Sequence, residues 1–245
     1  MAERSFRTVD GIRVSSVTAE QMRAVDRVAT EDVGLGLRQM MENAGRTLAA
    51  HVCAVSDGPV VVVAGNGGNG GGGLACARHL ANRGVDVTVA LDRDPENLTG
   101  AAARQFDVLT EMDVGTTVGT APLLEEVPGS AFVDTLVGYG LSGAVREPAR
   151  SLIDAMNRRR EPVVSLDVPS GIDATSGEPS GIAIDPDRTV TLALPKTGLA
   201  DSSGPLFLAD IGVPETVYRR LDIDYETPFR AGAWVELRSE LNVTE

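Results

Sequence analysis

Between the apolar run Val60-Val61-Val62-Val63-Ala64 and a helix-like segment starting at Leu74 lie nine residues, Gly65 to Gly73, of which seven are glycine. A run of this kind lets a backbone approach a bound group closely. With the N-terminus of the helix that follows, it also aims N–H groups at negative charge. Its flanks complete a βαβ unit: a β-branched strand buried on both faces, the glycine loop, a helix from Leu74 to Asn82 closed by Arg83-Gly84, and a strand from Val85 to Leu91. Parallel strands need helices on both faces, so this unit commits the chain to a layered α/β architecture.

The rest of the chain repeats the alternation. Thr18 and Gln21 have capping-box spacing ahead of apolar residues at Met22, Val25 and Val28, and Gly34-Leu35-Gly36 separates that helix from a second running from Leu37 to about Val55. A helix from Gly100 to Glu111, a weak strand at Thr116 to Val118, and a helix or loop to Glu126 follow. Next come a strand from Ala131 to Leu136 with a Gly138-Tyr139-Gly140 turn, a helix from Glu147 to Arg158, and a strand from Val163 to Leu166 ending in the turn Asp167 to Asp173. Further strands are expected at Asp187 to Ala193 and Leu206 to Ile211. The residues before Thr18 read as a polar lead-in. Alternation without a linker predicts one domain of class α/β, a three-layer αβα sandwich around a doubly wound, mostly parallel sheet with helices at its N-terminal side.

Composition narrows the function. With 22 Lys+Arg against 35 Asp+Glu the formal charge is −13, which disfavours a nucleic-acid binder working through a basic surface. No apolar run approaches the roughly 20 residues of a membrane span, and the first residues lack the apolar core of a signal peptide, so the expectation is a cytoplasmic protein without membrane association. The two cysteines, Cys53 and Cys76, sit in apolar-periodic stretches far from metal-site spacing. Lys196 is the only lysine. An acidic, arginine-dominated chain of this kind suits a high-salt cytoplasm or a GC-rich genome equally well.

In an open parallel sheet, ligands gather at the carboxyl ends of the strands. Those positions hold the glycine loop, Asp134 and Asp167. With Asn69 and Ser170 the two carboxylates offer oxygen ligands, which suit a hard cation; alternatively a partly buried carboxylate serves as general acid or base, or ties the next turn. Gly65-Asn-Gly-Gly-Asn-Gly70 also satisfies a dinucleotide fingerprint, with Asp92 or Asp94 placed for a ribose, which taken alone reads as an NAD-linked oxidoreductase. A Walker loop is excluded because no Gly-Lys-Ser/Thr occurs. His51 and His79 fall within helices and read as packing residues.

Several blocks, in order, resemble the YjeF N-terminal domain family, whose best-defined members are NAD(P)H-hydrate epimerases. They are Met22-Arg-Ala-Val-Asp26, Met41-Glu-Asn-Ala-Gly45, Gly65 to Leu74 with Ala77-Arg-His-Leu80, Val133-Asp134 through Gly138-Tyr-Gly-Leu-Ser-Gly143, Arg146-Glu-Pro148, Asp167-Val-Pro-Ser-Gly171 and Pro195-Lys-Thr-Gly198. The resemblance implies a Rossmann-like single domain over residues 1–245, with a core from about 18 to 215, a C-terminal extension from 216 to 245 and no fused dehydratase domain. It implies a substrate, NADHX or NADPHX, hydrated at C6 of the reduced nicotinamide ring, whose R and S epimers are interconverted. A separate ADP- or ATP-dependent dehydratase is then the pathway partner, and a homodimer is expected. By the match, a potassium ion is held by Asn69, Asp134 and Ser170. The substrate is contacted by Gly68, Asn69, Gly70, Gly71 and Gly72, by Gly138, Tyr139, Gly140, Leu141, Ser142, Gly143 and Ala144, and by Asp167. Asp134 is assigned the proton transfer and Asp167 the orientation of water or ribose. Family loops usually read Asn-Asn-Gly-Gly-Asp-Gly, so Gly68 and Gly72 stand where an Asn and an Asp are usual. A second reading, from relatives that serve as dimerisation domains in RNA-decay factors, is a non-catalytic nucleotide-binding or dimerisation module.

Overall fold

The computed structural model describes residues 4–230 and 232–241. It starts with a hairpin of β1 (Arg4–Thr8) and β2 (Arg13–Val14), followed by α1 (Ala19–Arg27), where Thr18 and Gln21 form the expected capping box. Then come α2 (Leu37–Cys53), β3 (Val60–Ala64), α3 (Gly68–Ala81), β4 (Val87–Leu91), α4 (Gly100–Glu111), β5 (Gly115–Val118), α5 (Ala121–Glu126) and β6 (Ala131–Thr135). The chain continues through α6 (Ala149–Asn157), β7 (Val163–Leu166), β8 (Arg188–Leu192), β9 (Leu206–Ala209), α7 (Glu215–Arg220) and β10 (Trp234–Leu241). The strands form one sheet in the order β2-β1-β10-β9-β8-β7-β6-β3-β4-β5. From β9 to β5 all neighbours are parallel, whereas β10 joins β9 antiparallel and β1 joins both β10 and β2 antiparallel.

The period-2 alternation of β3 assigns the layers. Val60, Val62 and Ala64 pack with Leu48 and Val52 of α2, Leu74 and Leu80 of α3 and Leu109 of α4. Val61 and Val63 pack on the other face with Leu124 of α5 and Leu152, Ile153 and Met156 of α6. A third cluster, built from Phe6, Met22, Val25, Leu208, Tyr218 and Leu237, closes the end where β1, α1, α7 and β10 meet. This is the expected αβα sandwich. The antiparallel edge is an addition: the polar lead-in and the C-terminal segment are strands, because Phe6 and Leu237 bury their side chains there, while Glu236 and Arg238 beside Leu237 stay exposed. Among the described residues no helix is long and apolar enough to cross a membrane.

One expectation is corrected. The glycine run is a loop only over Gly65 to Gly67, and from Gly68 onward it is the first turn and a half of α3. Glycine disfavours a helix by about 1 kcal/mol per residue, so tertiary fit decides. A Cβ on Gly70 would collide with the carbonyl of Gly65, one on Gly73 with the Thr135 hydroxyl, and one on Gly45 of α2 with Ala75 of α3. Gly73→Ala should therefore destabilise the fold by about 1–3 kcal/mol despite alanine's better helix propensity. Thr135 Oγ1 would have to leave the Val63 carbonyl, to which it donates at 3.0 Å. Gly68→Ala, whose Cβ meets only Met41 Cε at 3.8 Å, should cost nothing measurable. Urea denaturation of both variants is the check, and equal effects would remove the packing explanation.

Candidate functional site

The sheet order reverses between β3 and β6, since the chain moves outward to β4 and β5 and then returns to β6 and β7. The loops after β3 and β6 therefore part at their carboxyl ends and leave a crevice. A cavity of about 590 Å³ lies there. Its walls come from Met22 and Asp26 of α1, Met40, Met41 and Ala44 of α2, the α3 start at Gly67, Gly68, Asn69 and Gly72, Asp92 and Arg93 after β4, Gly138 to Gly140 after β6, Asp167 after β7, and Lys196 after β8. Gly67 caps α3 without a side chain, so the first N–H groups and the positive end of the helix dipole belong to the cavity.

Asp167 and Lys196 form the charged centre. Both are buried and joined by an ion pair. Lys196 Nζ also donates to the Leu192 carbonyl at 2.9 Å. Asp167 sits at φ +66, in the left-handed region, which turns its carboxylate to accept from the Tyr139 and Leu192 N–H groups, both at 3.3 Å. A buried ammonium and carboxylate are tolerable only as such a bonded pair. Above them the Tyr139 ring centroid lies 5.7 Å from Lys196 Nζ, and the Tyr139 hydroxyl donates to Asp26. Burial raises the Asp26 carboxyl above the usual carboxylate range, against the hydrogen bond from Tyr139. Asp92 holds Arg93 at the cavity rim through two 2.8 Å contacts.

Asp134 stands behind this wall. It is fully buried and accepts from Ser165 Oγ at 2.8 Å, Ser170 N–H at 2.8 Å, Ser170 Oγ at 2.5 Å and Leu136 N–H at 3.3 Å. Burial raises its carboxyl, and the serine hydrogen bonds oppose the rise. Asn69 lies across Gly138 from Asp167: a Cβ on Gly138 would stand 3.1 Å from Asn69 Oδ1 and 3.3 Å from Asp167 Oδ2. The Asn69 side-chain amide nitrogen is buried without a partner. Because amide orientation is an assignment, either end of that group can face a ligand. Among the described residues no three His, Cys, Asp or Glu side chains converge as ligands of a softer metal would. One carboxylate with a hydroxyl and an amide fits a hard cation.

Of the residues expected from the sequence, the fold brings Gly68, Asn69, Gly72, Gly138, Tyr139, Gly140 and Asp167 onto the cavity wall. Gly70 and Gly71 are buried in α3, while Ser142, Gly143 and Ala144 are exposed beyond the turn and Leu141 packs toward α6, so these six lie off the wall of this cavity. Asp134 and Ser170 stand behind the wall, buried and bonded to each other. His51 and His79 pack in α2 and α3 as expected. Lys196 and Asp26 are charged residues of the cavity wall that carried no assignment. The signal for Lys196 was its singularity in a chain that otherwise uses arginine.

With this geometry in hand, the match to the family model described as YjeF-related protein N-terminus, over residues 37–198, is decisive. The chain belongs to that family. It is 41% identical over 240 residues to the NAD(P)H-hydrate epimerase of Dehalogenimonas lykanthroporepellens, covering 95% of this chain and 96% of that one. It is 39% identical over 226 residues to the bifunctional NAD(P)H-hydrate repair enzyme Nnr of Salinibacter ruber, covering 83% of this chain and 42% of the longer protein. The crystal structure of yeast ynu0, YNL200c, superposes with a TM-score of 0.81 over 91% of this chain and 100% of that one at 24% identity, which establishes the common fold.

The departure from the usual family loop at Gly72 has a steric counterpart, since a Cβ there would stand 2.7 Å from Leu166 Cδ2. Gly72→Asp should lower stability by about 1–3 kcal/mol, and adding Leu166→Val should recover part of it by clearing that atom. Thermal unfolding of the single and double variants tests this; strictly additive losses would show that Leu166 is not the obstacle.

Proposed function

We propose that this chain is an NAD(P)H-hydrate epimerase. The observation that carries the reading is the buried Asp167–Lys196 pair at the strand switch point, facing the uncapped start of α3, in a chain 41% identical to such an epimerase over nearly its whole length. The α3 start supplies N–H groups for the pyrophosphate, and the apolar wall of Met40, Met41 and Leu136 takes the flat ring faces.

The chemistry follows from the substrate. A hydroxyl on C6 sits next to the ring nitrogen, whose lone pair expels it as water once it is protonated and leaves a resonance-stabilised cation. Water then returns on either face, so R and S hydrates exchange. Asp167 offers negative charge to that cation, and the ammonium of Lys196 holds the carboxylate in place and compensates its charge. In this account Asp134 ties the turn after β6 at Leu136 to the turn after β7 at Ser170 and does not reach the substrate. Asn69, Asp134 and Ser170 are the residues that would hold a potassium ion, which when bound supplies fixed positive charge beside the cavity. A dehydratase acting on one epimer is the pathway partner.

The test follows the NMR signals of pure R-NADHX at fixed pH with wild type, Asp167→Asn and Asp134→Asn, in potassium and in a choline salt. Wild type should speed epimerisation, Asp167→Asn should lose about 10²-fold or more, and potassium should raise the melting temperature of wild type and not of Asp134→Asn. A wild-type chain that binds NADHX without speeding its epimerisation would shift the reading to a nucleotide-binding module of the same fold.

A further inference from the structure

The cavity holds three carboxylates in unlike settings, and two have a cation in contact, Asp92 at the rim through Arg93. Asp167 is joined to Lys196. Asp26, among the described residues, has a single side-chain hydrogen bond, from the Tyr139 hydroxyl. Both residues of this second pair line the cavity. They arrive from distant parts of the chain, and the fold fixes them carefully. Val17, just ahead of α1, is clamped to the Lys196 segment by Val17 N–H to the Pro195 carbonyl and Thr197 N–H to the Val17 carbonyl, both at 3.0 Å. Right after Asp26 the helix widens into a π turn over Val28–Asp32, a distortion that recurs at functional sites.

We propose that Tyr139 and Asp26 work in series as the acid arm of the cavity, the phenol relaying a proton between the Asp26 carboxyl and the oxygen that leaves or enters C6 of the substrate. This rests on the epimerase reading and deepens it. In the outward step the Asp26 acid gives its proton to Tyr139 Oη as that oxygen gives its own to the C6 hydroxyl. The C6–O bond breaks with its electron pair on oxygen, water departs, the ring nitrogen lone pair forms the C=N bond, and Asp26 is left as a carboxylate. Addition of water reverses each transfer on either face, so no oxidant or reductant is consumed. Tyr139 is the group that touches the substrate, and Asp26 acts through it as a positioning residue and proton store.

The charges facing the pair agree with this order. Burial raises the Asp26 carboxyl and the charge of Asp167 adds to the rise, while the Tyr139 hydrogen bond and Lys196 oppose it. Burial, Asp26 and Asp167 together keep the phenol protonated, with Arg23 of α1 opposing. An acid is needed in its protonated form, so the rate should fall as pH rises through the elevated Asp26 value.

The experiment measures kcat and KM for R-NADHX across pH with wild type, Tyr139→Phe, Asp26→Asn and the double variant, each checked by circular dichroism and thermal unfolding. Tyr139→Phe keeps the ring over Lys196 and removes only the hydroxyl, so it stays informative if Asp26→Asn folds poorly. Each single variant should lower kcat by about 10²-fold with KM within a few fold, the double should be no worse than either single, and the alkaline limb attributed to Asp26 should vanish. An active wild type with unchanged kcat in Tyr139→Phe, or losses that multiply in the double variant, overturns the relay alone. An inactive wild type overturns the epimerase reading and the relay with it.

Discussion

The architecture depends on backbone-to-backbone approach at the start of α3. Five of the first six residues of that helix are glycine, so its first turns rest on the Gly65 turn, on Thr135 of β6 and against α2 at Gly45 without spacers. Larger residues would push the helix outward by the width of a side chain, and its positive end would no longer meet the crevice between β3 and β6. The intrinsic penalty of so many helical glycines is of the order of several kcal/mol, and it is offset by burial of Leu74, Cys76, Ala77 and Leu80 on the same helix. One feature of sequence thus serves packing and anion binding together.

Legibility of the fold followed the strength of its period. The parallel strands β3, β4, β6 and β7 are short apolar runs at regular intervals, and each lies within a residue or two of its expected place. The antiparallel edge was not legible, because β1 and β2 are short and polar, and the apolar residues Phe6, Val14 and Leu237 that turn inward share no local period. The start of α3 was misread for a physical reason: local propensity opposes a glycine helix, and most of the contacts that overrule it come from other elements, Met41 of α2, Thr135 of β6 and Leu166 of β7.

The site divides along the same line. Asp134 and Asp167 stood out because each ends an apolar strand, yet strand position does not say whether a carboxylate points into the crevice or behind it. That choice rests on the left-handed turn at Asp167 and on Ser165 and Ser170, whose donors hold Asp134 inward. Lys196 and Asp26 meet the cavity only because the segment before α1 pairs with the Lys196 strand, a contact spanning most of the chain that leaves no local periodic trace.

The pairing of Arg4 with Leu241 carries a consequence for how the molecule comes into being. Closing a loop nearly as long as the chain is entropically slow, whereas the two clusters flanking the parallel sheet draw only on residues 48–209. Phe6 and Leu237 belong to the same cluster as Met22 and Val25 of α1, so the wall bearing Asp26 gains its full support only after the last strand has left the ribosome. During synthesis the nascent chain holds the glycine end of the crevice before it holds the acid end, and catalytic competence is the final event of its folding.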